Sequence, residues 1–80
     1  MDSSLIQFGR VIGTLRRDAG FSQEALADRA GVHRTYVSQL ERGLKSPTLA
    51  VLIKLAEALG TRPSNILQLL ERSLSEIQDS

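Results

Sequence analysis

Glycines at positions 20, 31, 43 and 60 punctuate a chain whose apolar residues otherwise recur at helical spacing. No stretch between them shows the sustained apolar–polar alternation, or the β-branched and aromatic enrichment, that marks a strand. A chain cut in this way folds as short helices packed on one another, and five are expected. The first opens at Ser4, where Ser4 and Gln7 have capping-box spacing. Leu5, Phe8, Ile12, Leu15 and Ala19 mark its inward face, and Gly20 follows it as a terminator. Gly9 and Gly13 weaken this helix but suit close packing against another backbone. Ser22 caps a second helix, with Glu24 in its first turn and Leu26, Ala27 and Ala30 turned inward. Gly31 stops it after about two turns. A third helix spans about residues 33–42, with Val37 and Leu40 inward. Ser46, Pro47 and Thr48 form a loop and a cap before a fourth helix lined by Leu49, Leu52, Leu55, Ala56 and Leu59. Pro63 suits the first position of a fifth helix running to about Ile77.

Eighty residues fit one small domain spanning 1–80. Hydrophobic residues at 41% and charged residues at 24% are ordinary for a globular chain and argue against disorder. The chain has no cysteine. That excludes disulfides, thiolate zinc sites, iron–sulfur clusters and cysteine nucleophiles together, and it fits a cytoplasmic location. The single histidine, His33, has no second ligand or catalytic partner nearby in sequence, so no metal, cofactor or catalytic role is expected. The longest apolar run, residues 49–53, is far short of the roughly 20 residues a membrane helix needs. No basic segment leading into an apolar one opens the chain, so no leader is expected.

The net charge of +1 is too small to identify a polyanion partner. Its distribution says more. Residues 29–45 hold Arg29, Arg34, Arg42 and Lys45 against Glu41 alone, whereas residues 46–80 hold three cations against four carboxylates. One face can therefore be basic while the rest is not. Within residues 23–40, two helices of about two turns meet at a glycine turn, and Ala27 is small where they must approach. The outward residues of the third helix are His33, Arg34, Thr35, Ser38 and Gln39, with Tyr36 partly so. Arginine reads guanine O6 and N7, glutamine reads adenine, and threonine offers a hydroxyl and a methyl. This is the layout of a helix-turn-helix, over residues 22–42, whose second helix enters a major groove.

The segment FSQEALADRAGVHRTYVSQLERG, followed by SPTLAVLIKLAEALG, resembles the Cro/cI-type helix-turn-helix regulators, also called XRE-like. The S-Q-E-x-L-A opening, the Ala-Gly-Val turn, the S-x-L-E-R-G close and the L-x-K-L-A-x-A-L-G helix occur in order, and the match covers about residues 5–70. The resemblance implies an all-α, compact five-helix bundle of the phage-repressor DNA-binding-domain type. It implies a non-enzymatic transcriptional regulator that binds a pseudo-palindromic double-stranded DNA operator as a homodimer, with RNA polymerase as a further partner the family allows. It implies base reading by Arg34, Thr35, Tyr36, Ser38 and Gln39, and phosphate contacts from Gln23, His33, Arg42 and Lys45. Arg16 and Glu41 match the family's ion pair between the first helix and the end of the third, and Gly31 its turn. The G-V-H-R-T-Y-V-S-x-L-E-R-G wording is similar to restriction–modification controller proteins, but phage, plasmid and chromosomal regulators carry it too. A rival is an antitoxin-like protein-interaction module on the same fold, which would carry an apolar patch on the third helix.

The fifth helix is expected to supply the dimer. Ile66, Leu70, Leu74 and Ile77 form a stripe, and Leu67 and Leu69 widen it beyond what a terminal helix needs to dock on so small a core. A dimerisation helix over about residues 63–77 is expected, with Leu70 and Leu74 near the two-fold axis.

Overall fold

A computed structural model describes residues 2–79, with side chains through residue 77. Among them are five helices: α1 (Ser3–Asp18), α2 (Gln23–Ala30), α3 (Arg34–Glu41), α4 (Leu49–Ala58) and α5 (Pro63–Asp79). Each boundary has a local cause. Ser22 and Thr48 cap α2 and α4 by accepting hydrogen bonds from the backbone N–H of Ala25 at 3.0 Å and Val51 at 3.1 Å. The first helix departs from expectation. It begins one residue earlier, and its cap is Asp2, whose carboxylate accepts from the Ser4 backbone N–H at 2.9 Å and from the Ser4 hydroxyl. A carboxylate satisfies the open donors and also meets the positive helix end, so it displaces serine from the capping role. The same bonds from Ser4 hold the Asp2 carboxyl below its usual range.

The core is aliphatic apart from one ring. Phe8, Val11 and Ile12 of α1 meet Leu26, Ala27 and Ala30 of α2, Val37 and Leu40 of α3, Leu52, Leu55 and Ala56 of α4, and Ile66 of α5. The first helix packs on α3 and α5, the second on α3 and α4, and the fourth on α5. The Cα radius of gyration is 11.8 Å, against about 11.6 Å for a compact domain of this length. Among the described residues no helix is long and apolar enough to cross a membrane.

Close approach of α1 and α3 requires Gly9. A Cβ there would lie against the carbonyl oxygen of Leu40 and 2.5 Å from that of Glu41. The inward assignments need three amendments. Ala19 is exposed because it is the C-cap of α1, beyond the core. Leu49 is 73% exposed, since the first residue of α4 precedes the turn that meets the core. Val11 joins the core because it lies one turn on from Phe8 and widens the buried arc on the side of Phe8 away from Ile12.

Ile66, expected at the dimer interface, is fully buried, so it closes the core of the chain and presents no surface to a second copy. Leu69, Ser73 and Glu76 of α5 line a groove against Val11 and Leu15 of α1. At about 100° per residue, Leu67, Leu70 and Leu74 lie on the opposite flank from that groove. Leu67 and Ile77 are 43% and 44% exposed, and Leu70 and Leu74 are half-buried. The open apolar edge of α5 is therefore Leu67, Leu70, Leu74 and Ile77, spaced three, four and three.

Candidate nucleic-acid interface

The unit formed by α2 and α3 turns on Gly31, at φ +71° and ψ +34°. A left-handed residue there lets the Val32 N–H return to the Ala27 carbonyl at 3.0 Å, which closes α2 while the chain reverses. No heavy atom beyond its two chain neighbours lies within 4 Å of where a Gly31 Cβ would sit, so the requirement at this position is conformational and not steric. His33 then runs extended, at φ −77° and ψ 146°, as the N-cap of α3, and its side chain makes no capping bond. Val37 and Leu40, both fully buried, fix the rotation of α3 about its axis.

That rotation decides what α3 presents. With Val37 and Leu40 inward, Thr35 and Arg42 stand opposite the core, Ser38 and Gln39 flank them, and Arg34 and Tyr36 lie at the two edges. His33, Arg34, Thr35 and Arg42 are exposed, and Ser38 and Gln39 are half-buried. Tyr36 is half-buried because its ring packs against the core, leaving one edge outward. Lys45 is exposed in the loop that follows. The large apolar residues that are exposed among the described residues are Leu44, Leu49, Ile53, Leu67 and Ile77. None belongs to α3. The outward surface of this helix is thus polar and cationic, without the apolar patch of a protein-docking face. Among the described residues no group of three His, Cys, Asp or Glu could hold a metal ion.

Behind this surface, Arg16 of α1 grips Glu41 at the end of α3. Arg16 Nε donates to Glu41 Oε2 at 2.7 Å and Nη2 donates to Oε1 at 3.0 Å. Nη1 of the same guanidinium donates to the Phe21 carbonyl at 2.9 Å. The two side chains are only 13% and 10% exposed, so this is a partly buried, two-pronged pair and not an open surface contact. Its hydrogen bonds to Glu41 raise the Arg16 pKa, against the opposing effect of burial. Gln23, the first residue of α2, is half-buried, and its Nε2 donates to Glu41 Oε1 at 3.2 Å. Glu41 is the one acidic residue of α3, and Arg16 neutralises it in place. Arg29 stacks over the Phe21 ring at 4.3 Å from its centroid, which gives one cation of the basic stretch an intramolecular partner.

The sequence profile of the HTH_3 helix-turn-helix family matches residues 12–67, well over half of the chain. Control protein C.BamHI of Bacillus amyloliquefaciens is 38% identical over 61 residues, covering 75% of this chain and 75% of that protein. Control protein C.SmaI of Serratia marcescens is 41% identical over 56 residues, covering 70% and 67%. Among solved structures, the restriction–modification controller protein C.AhdI from Aeromonas hydrophila superposes with a TM-score of 0.80 at 38% identity, covering 81% of this chain and 98% of that one. The chain belongs to the HTH_3 family of XRE-like helix-turn-helix proteins.

Proposed function

We propose that the protein is a sequence-specific transcriptional regulator that binds double-stranded DNA as a homodimer on a pseudo-palindromic operator, without catalysis. The observation that carries this reading is the polar, cationic arc of α3, held outward by the two fully buried residues Val37 and Leu40. Such an arc suits a major groove, where side-chain donors and acceptors meet base edges. In this reading Arg34, Thr35, Tyr36, Ser38 and Gln39 read bases, while Gln23, His33, Arg42 and Lys45 meet phosphates. The whole chain is one domain. The edge of α5 formed by Leu67, Leu70, Leu74 and Ile77 joins two copies, so that their α3 helices lie about 34 Å apart, one DNA turn. The likeness to C.BamHI, C.SmaI and C.AhdI supports a narrower role as a restriction–modification controller. RNA polymerase is the partner such a regulator meets at a promoter.

Selection of bound duplexes from random DNA tests the reading. Paired, inverted half-sites one helical turn apart are expected. Arg34→Ala then weakens binding to the selected site by about 1–3 kcal/mol and relaxes one base position. Arg42→Ala weakens all sequences alike and reduces the salt slope by about one unit. Selection that returns no common sequence, or two variants that lose affinity equally for selected and random DNA, refutes the assignment of α3.

A further inference from the structure

Three helices converge on one carboxylate. Glu41 is the last residue of α3, Arg16 lies in the last turn of α1, and Gln23 is the first residue of α2. Glu41 Oε2 takes Arg16 Nε at 2.7 Å, and Oε1 takes both Arg16 Nη2 at 3.0 Å and Gln23 Nε2 at 3.2 Å. The carboxylate has little freedom to move. Its own backbone is pressed on Gly9 of α1, where a Cβ would come within 2.5 Å of the Glu41 carbonyl oxygen.

The chemistry of this junction orients Gln23. A carboxylate only accepts hydrogen bonds, so it can be met only by the NH2 end of the Gln23 amide. That NH2 carries two donors, and Glu41 engages one. Nearby, Ser22 bonds the Ala25 N–H through its hydroxyl at 3.0 Å and the Leu26 N–H through its carbonyl at 3.0 Å. The backbone N–H groups of Gln23 and Glu24 precede the first intrahelical bond and open outward at the positive end of α2. A phosphate approaching that end meets donors only if the amide keeps its NH2 on this side. A bare carboxylate so close would repel the phosphate, and Arg16 cancels that charge.

We propose that Glu41 is a positioning residue for DNA binding: it fixes the Gln23 carboxamide so that its second N–H is presented to a backbone phosphate in register with the recognition helix that Glu41 terminates. This rests on the DNA-binding reading and deepens it. Glu41 touches no DNA itself. It ties the phosphate contact on α2 to the base-reading surface on α3, so that both engage one duplex without mutual adjustment.

The test is a double-mutant cycle on DNA affinity, using mixed-sequence duplex DNA and a duplex selected by the wild-type protein. Gln23→Ala is expected to weaken binding to both duplexes by about tenfold or more, with little change in melting temperature. Its salt slope should stay unchanged, because a neutral amide releases no counterion. Glu41→Gln weakens binding in the wild-type background but adds little in the Gln23→Ala background, a coupling of at least about threefold. Glu41→Asp repeats the cycle with the charge on Arg16 retained and the acceptor withdrawn from Gln23, and serves if Glu41→Gln does not fold. Additive losses in folded variants, or a Gln23→Ala protein with unchanged affinity, overturn the proposal while leaving DNA binding intact. A wild-type protein that binds neither duplex overturns the DNA-binding reading instead.

Discussion

Replacing Gly9 by alanine sets two opposed effects against each other, and the structure says which wins. In an isolated helix, alanine is favoured over glycine by about 1 kcal/mol. Gly9 sits in the middle of α1, so propensity alone predicts a gain. The new methyl, however, would lie against the backbone carbonyl of Leu40 and 2.5 Å from that of Glu41. Ordinary carbon–oxygen contacts begin at about 3.3 Å, so α1 and α3 must separate by at least about 0.8 Å. Neither obstacle is the tip of a flexible side chain that could swing away. The same displacement stretches the Arg16–Glu41 bonds, which stand at 2.7 and 3.0 Å and fasten these helices about two turns further along α1. Overpacking of this kind costs typically 1–3 kcal/mol, and the strained ion pair pushes the cost to the upper end. A net loss of about 1–2 kcal/mol is expected, which lowers the melting temperature of a domain this small by about 4–16 °C. Gly13→Ala is the control. A Cβ there meets the Arg17 guanidinium at 3.1 Å, a side-chain terminus that can swing away, and the Glu41 carboxylate at 3.3 Å, where a few tenths of an ångström relieve the contact. Thermal and denaturant unfolding of the two variants should therefore diverge, with Gly13→Ala near or above wild type. A Gly9→Ala protein that melts higher than wild type refutes the close approach of α1 and α3.

Gly31→Val should cost on the order of 1–3 kcal/mol through backbone strain alone, since φ is +71° and space is open around the position; an unchanged melting temperature would refute the left-handed turn. Arg16→Met and Glu41→Leu should each destabilise by about 3 kcal/mol or more by stranding the other charge, while the double variant recovers much of the loss; a stability cycle without coupling removes the pair as a fastening. Leu67→Glu should give a folded monomer at micromolar concentration by sedimentation, because Leu67 is 43% exposed and lies outside the core, whereas Leu70 packs against it; a variant that stays dimeric moves the interface elsewhere.

How much of this was legible in the sequence follows from the range of each interaction. The four terminating glycines and the caps at Ser22 and Thr48 act within one turn, so residue type and spacing disclose them. The inward faces of α2 and α3 were equally plain, because a short helix with two or three apolar positions has one way to bury them. Errors arose where neighbours compete. Ser4 has the wording of a cap, yet Asp2 stands two residues ahead with a stronger acceptor and takes that role. Leu49 and Ile66 are equally apolar, and only the contact of α4 and α5 with the rest of the molecule exposes one and seals the other.

The site shows the same division more sharply. Periodicity set the outward arc of α3 as soon as Val37 and Leu40 were turned inward, so its polar side needed no tertiary knowledge. The pairing of Arg16 with Glu41 spans 25 positions and was reached only through likeness to a family. The bond from Gln23 to Glu41 spans 18 and had no sequence signal, because nothing in a glutamine's chemistry names its partner. It exists because Gly9 lets α3 end against α1, which brings the Glu41 carboxylate within reach of both Arg16 and the start of α2. The polar surface of α3 is thus a property of one helix, while its alignment with Gln23 is a property of how three helices cross.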